Sequence, residues 1–222
     1  VTEFLPVSSS AHLVIIPEVL NWTEQSLLFD IIVHCGTLVA ILTYYRTRII
    51  TIIKGLFGKQ KNERKEQLSL VKYLVITTIP TVIAFLFAKD YLDNKLQSIN
   101  VIIFSLIFWG TLLIFAELFS KKNNNTKPIN TVSAGLIGIG QGMSLIRGVS
   151  RSGAMLTMGL FTGVERKQLV EYVFLAGIPV ILAGLFFEIL DYSNTYSSLD
   201  VLPIISGFLA SAISGLVAIH II

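Results

Sequence analysis

The most informative segment for the fold is INTVSAGLIGIGQGMSLIRGVSRSGAMLTMGLFTG, residues 129–163. It is apolar, but glycines, Gln141, Arg147 and Arg151 interrupt it, which makes it a poor candidate for a simple membrane-crossing helix. Basic residues flank it on both sides: Lys121, Lys122 and Lys127 before it, and Arg166 and Lys167 after it. We therefore predict a re-entrant hairpin whose two ends lie on the same side of a membrane.

The rest of the chain has the composition of a membrane protein. Of its 222 residues, 53% are hydrophobic and 14% are charged, against roughly 25% charged residues in soluble domains. Apolar segments long enough to cross a bilayer lie near residues 28–45, 73–88, 100–116, 168–187 and 201–222. None has the layout of a cleavable signal peptide. The predicted fold is an all-α polytopic membrane protein.

An internal repeat relates the two halves of the chain. VSSSAHL at 7–13 aligns with VSRSGAM at 149–155, and FDIIVHCGTLVAIL at 29–42 aligns with VEYVFLAGIPVILA at 170–183. The offsets, 142 and 141, are nearly equal and keep the same order, which predicts a duplication.

The first half also opens on an interrupted apolar segment, because Pro6 and three serines break the stretch from Val1 to Leu20. We predict a second re-entrant hairpin there, entering from the opposite face, and therefore an inverted repeat. Residues 1–120 would hold this hairpin and three transmembrane helices, and residues 129–222 the other hairpin and two. We expect further residues before Val1 and after Ile222, since both lie inside structured elements.

Charge placement predicts the orientation in the membrane. Lys and Arg are concentrated in the loops 46–72 and 120–130, so we expect both to be cytoplasmic. The loop Lys89–Lys95 is charge-balanced and Asp191–Asp200 has neither Lys nor Arg, so both should face outward. Topology and anionic lipid account for the basic loops, and no nucleic-acid partner is expected.

The first motif, TEFLPVSSSAHL, predicts an anion-binding site. Pro6 cannot continue a preceding helix, so a helix is expected to begin at the serines, Ser8, Ser9 and Ser10. Helical spacing then places His12 on the same face as Ser8 and Ser9. The amide groups at such a helix start bind phosphate.

The second motif, RGVSRSGA at 147–154, predicts a matching helix start. Gly148 frees the backbone, Ser150 and Ser152 repeat the serines, and Arg151 offers a planar guanidinium that suits phosphate. Ionisable groups at membrane depth are costly and usually functional, so Glu3, His12 and Arg151 are candidate site residues.

Other polar residues fit structural roles better. His34 and His220 have no polar cluster beside them in the sequence and are interpreted as structural. Cys35 is interpreted as a packing residue, and Glu117 and Glu188 as interfacial residues at the ends of spans. Arg147 could pair with a lipid headgroup or join the site.

At these motifs the chain resembles the undecaprenyl-diphosphate phosphatases of the bacitracin-resistance type, whose signatures include TEFLPVSSxxH and PGxSRSGAT. The first signature is matched in full from Thr2 to His12. The second is matched from Ser150 to Gly153, but Arg147 stands where the family has proline and Met155 where it has threonine. The similarity extends through FDIIVHCGTLVAIL, TTIPTVIAFLF and FLAGIPVILAG.

The resemblance implies hydrolysis of a polyprenyl diphosphate lipid in the plasma membrane, which recycles the lipid carrier for cell-wall synthesis and confers bacitracin resistance. It implies Glu3, Ser9, His12 and Arg151 as catalytic residues, and Ser8, Ser10, Gly148, Ser150, Ser152 and Gly153 as substrate-binding residues. Membrane lipids and, as one option, a second copy of the chain in a homodimer complete the expected partners. The site is expected to open to the outer face.

Several chemical roles stay open. Ser9 is the preferred nucleophile, with Glu3 as its base or as the ligand of a divalent cation, Mg²⁺ or Ca²⁺. His12 would donate a proton to the leaving phosphate or act as the nucleophile itself, and direct attack by water would use the same residues. The alternative function is a lipid-phosphate transporter or flippase, because inverted repeats with an anion site between them are also typical of transporters.

Overall fold

The computed structural model describes residues 1–22, 27–96, 98–122, 126–192 and 201–221. All regular secondary structure in these ranges is helical, which confirms the predicted fold class. The helices are α1 Ser9–Leu20, α2 Leu27–Tyr44, α3 Arg46–Phe57, α4 Lys61–Lys95, α5 Ile99–Lys122, α6 Thr131–Met143, α7 Arg151–Phe161, α8 Arg166–Tyr192 and α9 Val201–Ile221.

Four helical segments in the described residues are long and apolar enough to cross a membrane: Lys61–Phe87, Ile99–Lys122, Arg166–Phe187 and Leu202–Ile221. A fifth crossing is counted if the bent pair Leu28–Tyr44 and Arg46–Phe57 forms one span. Large apolar side chains on these helices are exposed, among them Phe104 and Phe115 on α5. Such surfaces are expected where lipid rather than water surrounds the protein.

The prediction of a loop at 46–72 is wrong, because most of these residues are helical. The chain bends by 68° after α2 and continues as α3 and the first turns of α4. Nothing between Arg46 and Phe57 breaks a helix, and the helix ends where Gly58 stands at its C-terminal cap. Arg48 of α3 pairs with Glu171 of α8 at 2.7 Å, so the basic segment packs against the helical bundle.

The loop predicted at Lys89–Lys95 is also wrong, because α4 continues through Lys95. With 35 residues, α4 is about 52 Å long, far longer than the roughly 30 Å hydrocarbon layer. Its polar ends therefore extend beyond the apolar layer while remaining helical. For the other loop predicted to face outward, residues 193–200 lie outside the described part of the chain.

Helices α6 and α7 form a hairpin. They have 13 and 11 residues, or about 20 and 17 Å, which is too short to cross a bilayer. The ends of the hairpin lie together, since the Lys127 amide donates to the Gly163 carbonyl at 2.9 Å. The two helices also approach closely, because a Cβ added at Gly140 would lie 2.8 Å from the Ala154 carbonyl oxygen. The two helices therefore form a hairpin, and its re-entry on one side of the membrane stays a prediction.

The opening segment, predicted as a re-entrant hairpin from Val1 to Leu20, contains one helix rather than two. Residues 2–6 form turns, with the Phe4 and Leu5 amides both donating to the Val1 carbonyl at 3.1 Å. A single 12-residue helix, α1, follows. The arrangement of the two halves as inverted membrane repeats stays a prediction.

Two buried clusters position the site. One surrounds Phe4 of the opening turns, with Ile41 of α2 and Phe174 of α8, whose ring meets that of Phe4 edge-on at 5.6 Å. The other packs α7 against α8 through Met155, Leu160 and Tyr172, among others. The opening turns and the α6–α7 hairpin are therefore both anchored to α8. The serine motifs of these two segments meet beside α8.

Candidate active site

Helix α1 begins at the first serine motif. Ser8 is its N-cap, with its Oγ accepting a hydrogen bond from the Ala11 amide at 3.4 Å. Its hydroxyl also lies 3.1 Å from that of Ser10. The backbone of Ser8 has a φ of 61°, a left-handed conformation unusual for a residue with a Cβ.

Helix α7 begins in the same way at the second motif. Ser150 is its N-cap, with its Oγ accepting from the Gly153 amide at 3.2 Å, and its hydroxyl lies 3.3 Å from that of Ser152. The turn before it depends on Gly148, which has a φ of 93°. A Cβ at Gly148 would lie 2.6 Å from the Ile102 carbonyl oxygen, so this close approach to α5 requires glycine.

Glu3 joins the two motifs. One oxygen of its carboxylate accepts a hydrogen bond from Arg151 Nη2 at 2.7 Å, and the other accepts one from the Ser9 hydroxyl. Both charged side chains are largely buried, with Arg151 17% and Glu3 13% exposed. Ser9 and Arg151, which the repeat aligns, therefore contact the same carboxylate.

Helix α8 fixes the other side of the guanidinium. Arg151 Nη1 donates to the Gly177 carbonyl at 3.3 Å. A Cβ at Gly177 would lie only 3.3 Å from Arg151 Cζ, so a larger residue there would crowd the guanidinium. The planar group is thus oriented by two acceptors, one charged and one neutral.

A cavity of about 210 Å³ opens beside this cluster. Both motifs contribute polar groups to its wall, and α8 contributes an apolar side. Its lining consists of Thr2, Glu3, Ser8, Ser9, Ser10, His34, Ser144, Val149, Ser150, Arg151, Val180, Ile181, Gly184 and Leu185.

Four of the predicted site residues lie outside this lining. His12 Nδ1 donates instead to the Ser8 carbonyl at 2.8 Å, one turn back along α1. Gly148 and Gly153 act through the backbone, since a Cβ at Gly153 would lie 3.1 Å from Pro6 Cβ, where the two motifs pack. Ser152 is 3% exposed and lies behind Ser150, with its hydroxyl 3.3 Å from the Ser150 hydroxyl.

Sequence reasoning missed His34 and Ser144, which line the cavity. His34 was interpreted as structural because no polar residues cluster beside it in the sequence. The signal that could have found it is the rule applied to His12, that ionisable groups at membrane depth are usually functional. Ser144 ends α6 with its hydroxyl bonded to the Gln141 carbonyl, and nothing in its sequence context marks it.

The residues suit a phosphoryl group. Two helix starts and Arg151 provide positive potential, and Ser9 provides a hydroxyl already bonded to a carboxylate. In the described chain, no three His, Cys, Asp or Glu side chains cluster as a metal site. A divalent cation would therefore have to take most of its ligands from phosphate oxygens and water, with Glu3 as the protein ligand, which is a usual arrangement for Mg²⁺.

The apolar helices define an integral membrane protein, and the buried Glu-Ser-Arg cluster is its candidate anion site. The sequence model of the Bacitracin resistance protein BacA family matches residues 1–222, and the chain belongs to this family. It is 37% identical over 220 residues to the undecaprenyl-diphosphatase of Ruthia magnifica, covering 98% of this chain and 83% of that protein.

Two further undecaprenyl-diphosphatases are similar over the same extent. The protein from Marinobacter nauticus is 36% identical over 220 residues, covering 99% of this chain and 83% of that protein. The one from Idiomarina loihiensis is 34% identical over 221 residues, with the same coverage, 99% and 83%.

Proposed function

We propose that this chain hydrolyses undecaprenyl diphosphate to undecaprenyl phosphate and inorganic phosphate. In the cell this reaction would recycle the lipid carrier of cell-wall synthesis and give resistance to bacitracin. The relatives named undecaprenyl-diphosphatase support the substrate and the reaction.

The observation that carries the proposal is the contact of Ser9 and Arg151 with the two oxygens of Glu3. A serine, a base for its proton and an arginine for the phosphoryl charge are thereby assembled in one cavity. Each group has a defined task in phosphoryl transfer.

In the proposed reaction the Ser9 Oγ attacks the terminal phosphorus, and its proton passes to Glu3. The bond between that phosphorus and the bridging oxygen breaks, and the lipid phosphate leaves with the electron pair. Arg151 and the helix-start amides stabilise the charge on the phosphoryl oxygens. Water then hydrolyses the phosphoserine, which releases inorganic phosphate and restores Ser9. Direct attack by water, with Glu3 as base, is the alternative.

We also propose that a divalent cation acts at this site. Mg²⁺ or Ca²⁺ bound between Glu3 and the diphosphate would neutralise charge when the substrate is present. Adding a chelator should then lower activity, and adding back one cation should restore it. Full activity in excess chelator would refute the cation.

The test of the function is phosphate release by the purified protein in detergent, with undecaprenyl diphosphate as substrate. We expect stoichiometric release of inorganic phosphate and lipid monophosphate. A lipid-phosphate transporter would leave the phosphate bond intact. Substrate recovered unchanged would therefore refute the phosphatase proposal and favour transport.

We further propose that the protein resides in the plasma membrane with the segments 46–72 and 120–130 in the cytoplasm and the site opening outward. The basic residues of α3 and of the start of α4 support this orientation. Cysteines placed at Lys61 and Asn194 should differ in labelling by an impermeant reagent on intact cells, with Asn194 labelled. Equal labelling would refute the topology. The homodimer stays a prediction.

A further inference from the structure

His34, which lies outside both serine motifs, faces the same cavity as Glu3, Ser9 and Arg151. It is carried by α2, in the middle of an apolar segment. It also lies close enough to the Glu3 carboxylate for the two side chains to interact electrostatically. Nothing in the catalytic scheme above uses it.

The ring of His34 is oriented by its own helix. Its Nδ1 lies 2.7 Å from the Asp30 carbonyl oxygen, one turn earlier in α2. A carbonyl only accepts hydrogen bonds, so Nδ1 carries the proton and Nε2 is the ring atom left to bind a ligand. The bond fixes the orientation of that atom before a substrate arrives.

The charged groups that line the cavity show what a further phosphate ligand would add. Glu3 and Arg151 are the lining residues with a permanent charge, and they form an ion pair at 2.7 Å. Their charges cancel, whereas a lipid diphosphate carries at least two negative charges at neutral pH. In the described lining, His34 is the remaining side chain that can take up a proton and become cationic.

Two carboxylates lie near His34. Asp30 on its own helix and Glu3 across the cavity are both electrostatically coupled to the imidazole. One Asp30 carboxylate oxygen, Oδ1, is buried without a hydrogen-bond partner among the described residues. The wall from α8 beside the cavity is apolar, consisting of Val180, Ile181, Gly184 and Leu185.

We propose that His34 is a phosphate ligand of this site, which binds the diphosphate through Nε2 in addition to the guanidinium of Arg151. The assignment rests on the proposed function for the identity of the substrate. The diphosphate would then contact two groups. Arg151 is already paired with Glu3, and His34 would bind the additional negative charge. Glu3 can then keep its contact with Ser9 while the diphosphate is bound.

The test compares His34→Leu with His34→Gln, because the amide nitrogen of glutamine can replace the hydrogen bond of Nε2 but not its charge. A hydrogen bond to a charged group contributes enough that its loss should raise KM roughly 10- to 100-fold in His34→Leu, with a smaller change in kcat. The KM of His34→Gln should lie between the KM of His34→Leu and that of wild type. His220→Leu is the control, since His220 is exposed on α9 beside Tyr44 and should leave KM unchanged.

A binding measurement separates this proposal from the phosphatase proposal. Inorganic diphosphate should raise the thermal unfolding temperature of wild type and His220→Leu, and His34→Leu should need roughly 10- to 100-fold more diphosphate for the same shift. This result is independent of turnover, so it can support His34 even if phosphate release is not observed. Wild-type diphosphate affinity in His34→Leu, or a His34→Gln that binds no better than His34→Leu, would overturn the proposal.

Discussion

The two serine motifs begin helices with the same hydrogen bonds, yet their surroundings differ. Ser8 and Ser150 are both N-caps, and each hydroxyl lies within 3.3 Å of the serine two residues later. Helix α7, however, has eight buried residues among its 11, whereas α1 has two among its 12. The second motif is therefore fixed by the packing of its own helix, whereas the first is held by Phe4 and by the polar contacts of Glu3.

The backbone shows the same difference. In the second motif the left-handed conformation falls on Gly148, a residue that adopts it without strain. In the first it falls on Ser8, where it costs on the order of 1 kcal/mol or more. Strained residues of this kind persist where the surroundings hold them. Here the Glu3 contacts to Ser9 and Arg151 provide that restraint. The comparison therefore predicts that changes in the first motif act on chemistry, and that changes in the second act on structure except at Arg151, which contacts Glu3.

The largest expected effect is in the first motif. Ser9→Ala should abolish turnover if Ser9 is the covalent nucleophile. His12→Ala should cost less, at most the roughly 10²- to 10⁴-fold of a lost proton donor, because His12 lies outside the cavity lining. The leaving lipid phosphate is weakly basic and needs little protonation. Fast quench of wild type should trap a phosphoenzyme on Ser9. Ser206→Ala, an exposed serine on α9, is the control.

One result would reverse these roles. If His12→Ala is inactive while Ser9→Ala keeps a tenth or more of the rate, a phosphohistidine or a directly attacking water replaces the serine mechanism. Ser9 would then be a phosphate ligand. The first motif would still carry the chemistry.

The second effect in size tests the charged member of the buried motif. Arg151→Lys keeps the charge but not the planar group that contacts Glu3 and the Gly177 carbonyl together. We expect a loss of about 10³-fold or more in kcat, with substrate binding partly retained. Arg166→Lys, at an exposed ion pair with Glu117, should keep near-normal turnover. Near-normal turnover in Arg151→Lys would show that Arg151 is only a counter-charge.

The sequence was sufficient to single out the residues that the structure brings together around Glu3, while their catalytic roles stay a prediction. Glu3, Ser9 and Arg151 belong to motifs of unusual polarity within an apolar chain, and such residues stand out without a structure. The hairpin of α6 and α7 was predictable as well, since its glycines and flanking charges exclude a simple span. Both predictions depend on local composition.

What the sequence could not predict depends on contacts between distant segments. His34 reaches the cavity only because α2 packs beside the opening turns, and its sequence neighbours are apolar. The Gly177 carbonyl has no side-chain signature at all. The basic segment after α2 was predicted as a loop because its charges suggested solvent, but charge does not prevent helix formation, and α3 is held to α8 by the Arg48–Glu171 pair.

A stability measurement tests the packing of the second motif. Gly148→Ala would place a Cβ 2.6 Å from the Ile102 carbonyl oxygen at a φ of 93°. The clash and the strained backbone together should lower the free energy of unfolding by roughly 2–4 kcal/mol, measured by thermal denaturation in detergent. Gly110→Ala is the matched control, because nothing lies within 4 Å of its added Cβ. Equal stability of the two variants would show that α5 and the second motif can separate.

The smallest expected effect compares the two N-caps directly. Ser8→Gly and Ser150→Gly each remove one capping hydroxyl, and glycine at an N-cap costs only a few tenths of a kcal/mol. Ser8 has a φ of 61°, so glycine also relieves strain there, whereas Ser150 at −69° gains nothing. Ser8→Gly should therefore be as stable as wild type or slightly more stable, and Ser150→Gly slightly less.

The difference between the two glycine variants should be about 1 kcal/mol, or about 2–4 °C in Tm for a chain of this size. Both variants lose one capping hydroxyl, so the difference between their Tm values in the same detergent cancels that shared effect. An equal decrease in Tm would show that the Ser8 backbone is relaxed. The first motif would then be held by its cap as the second is, and the contrast between a packed motif and a strained one would reduce to burial alone.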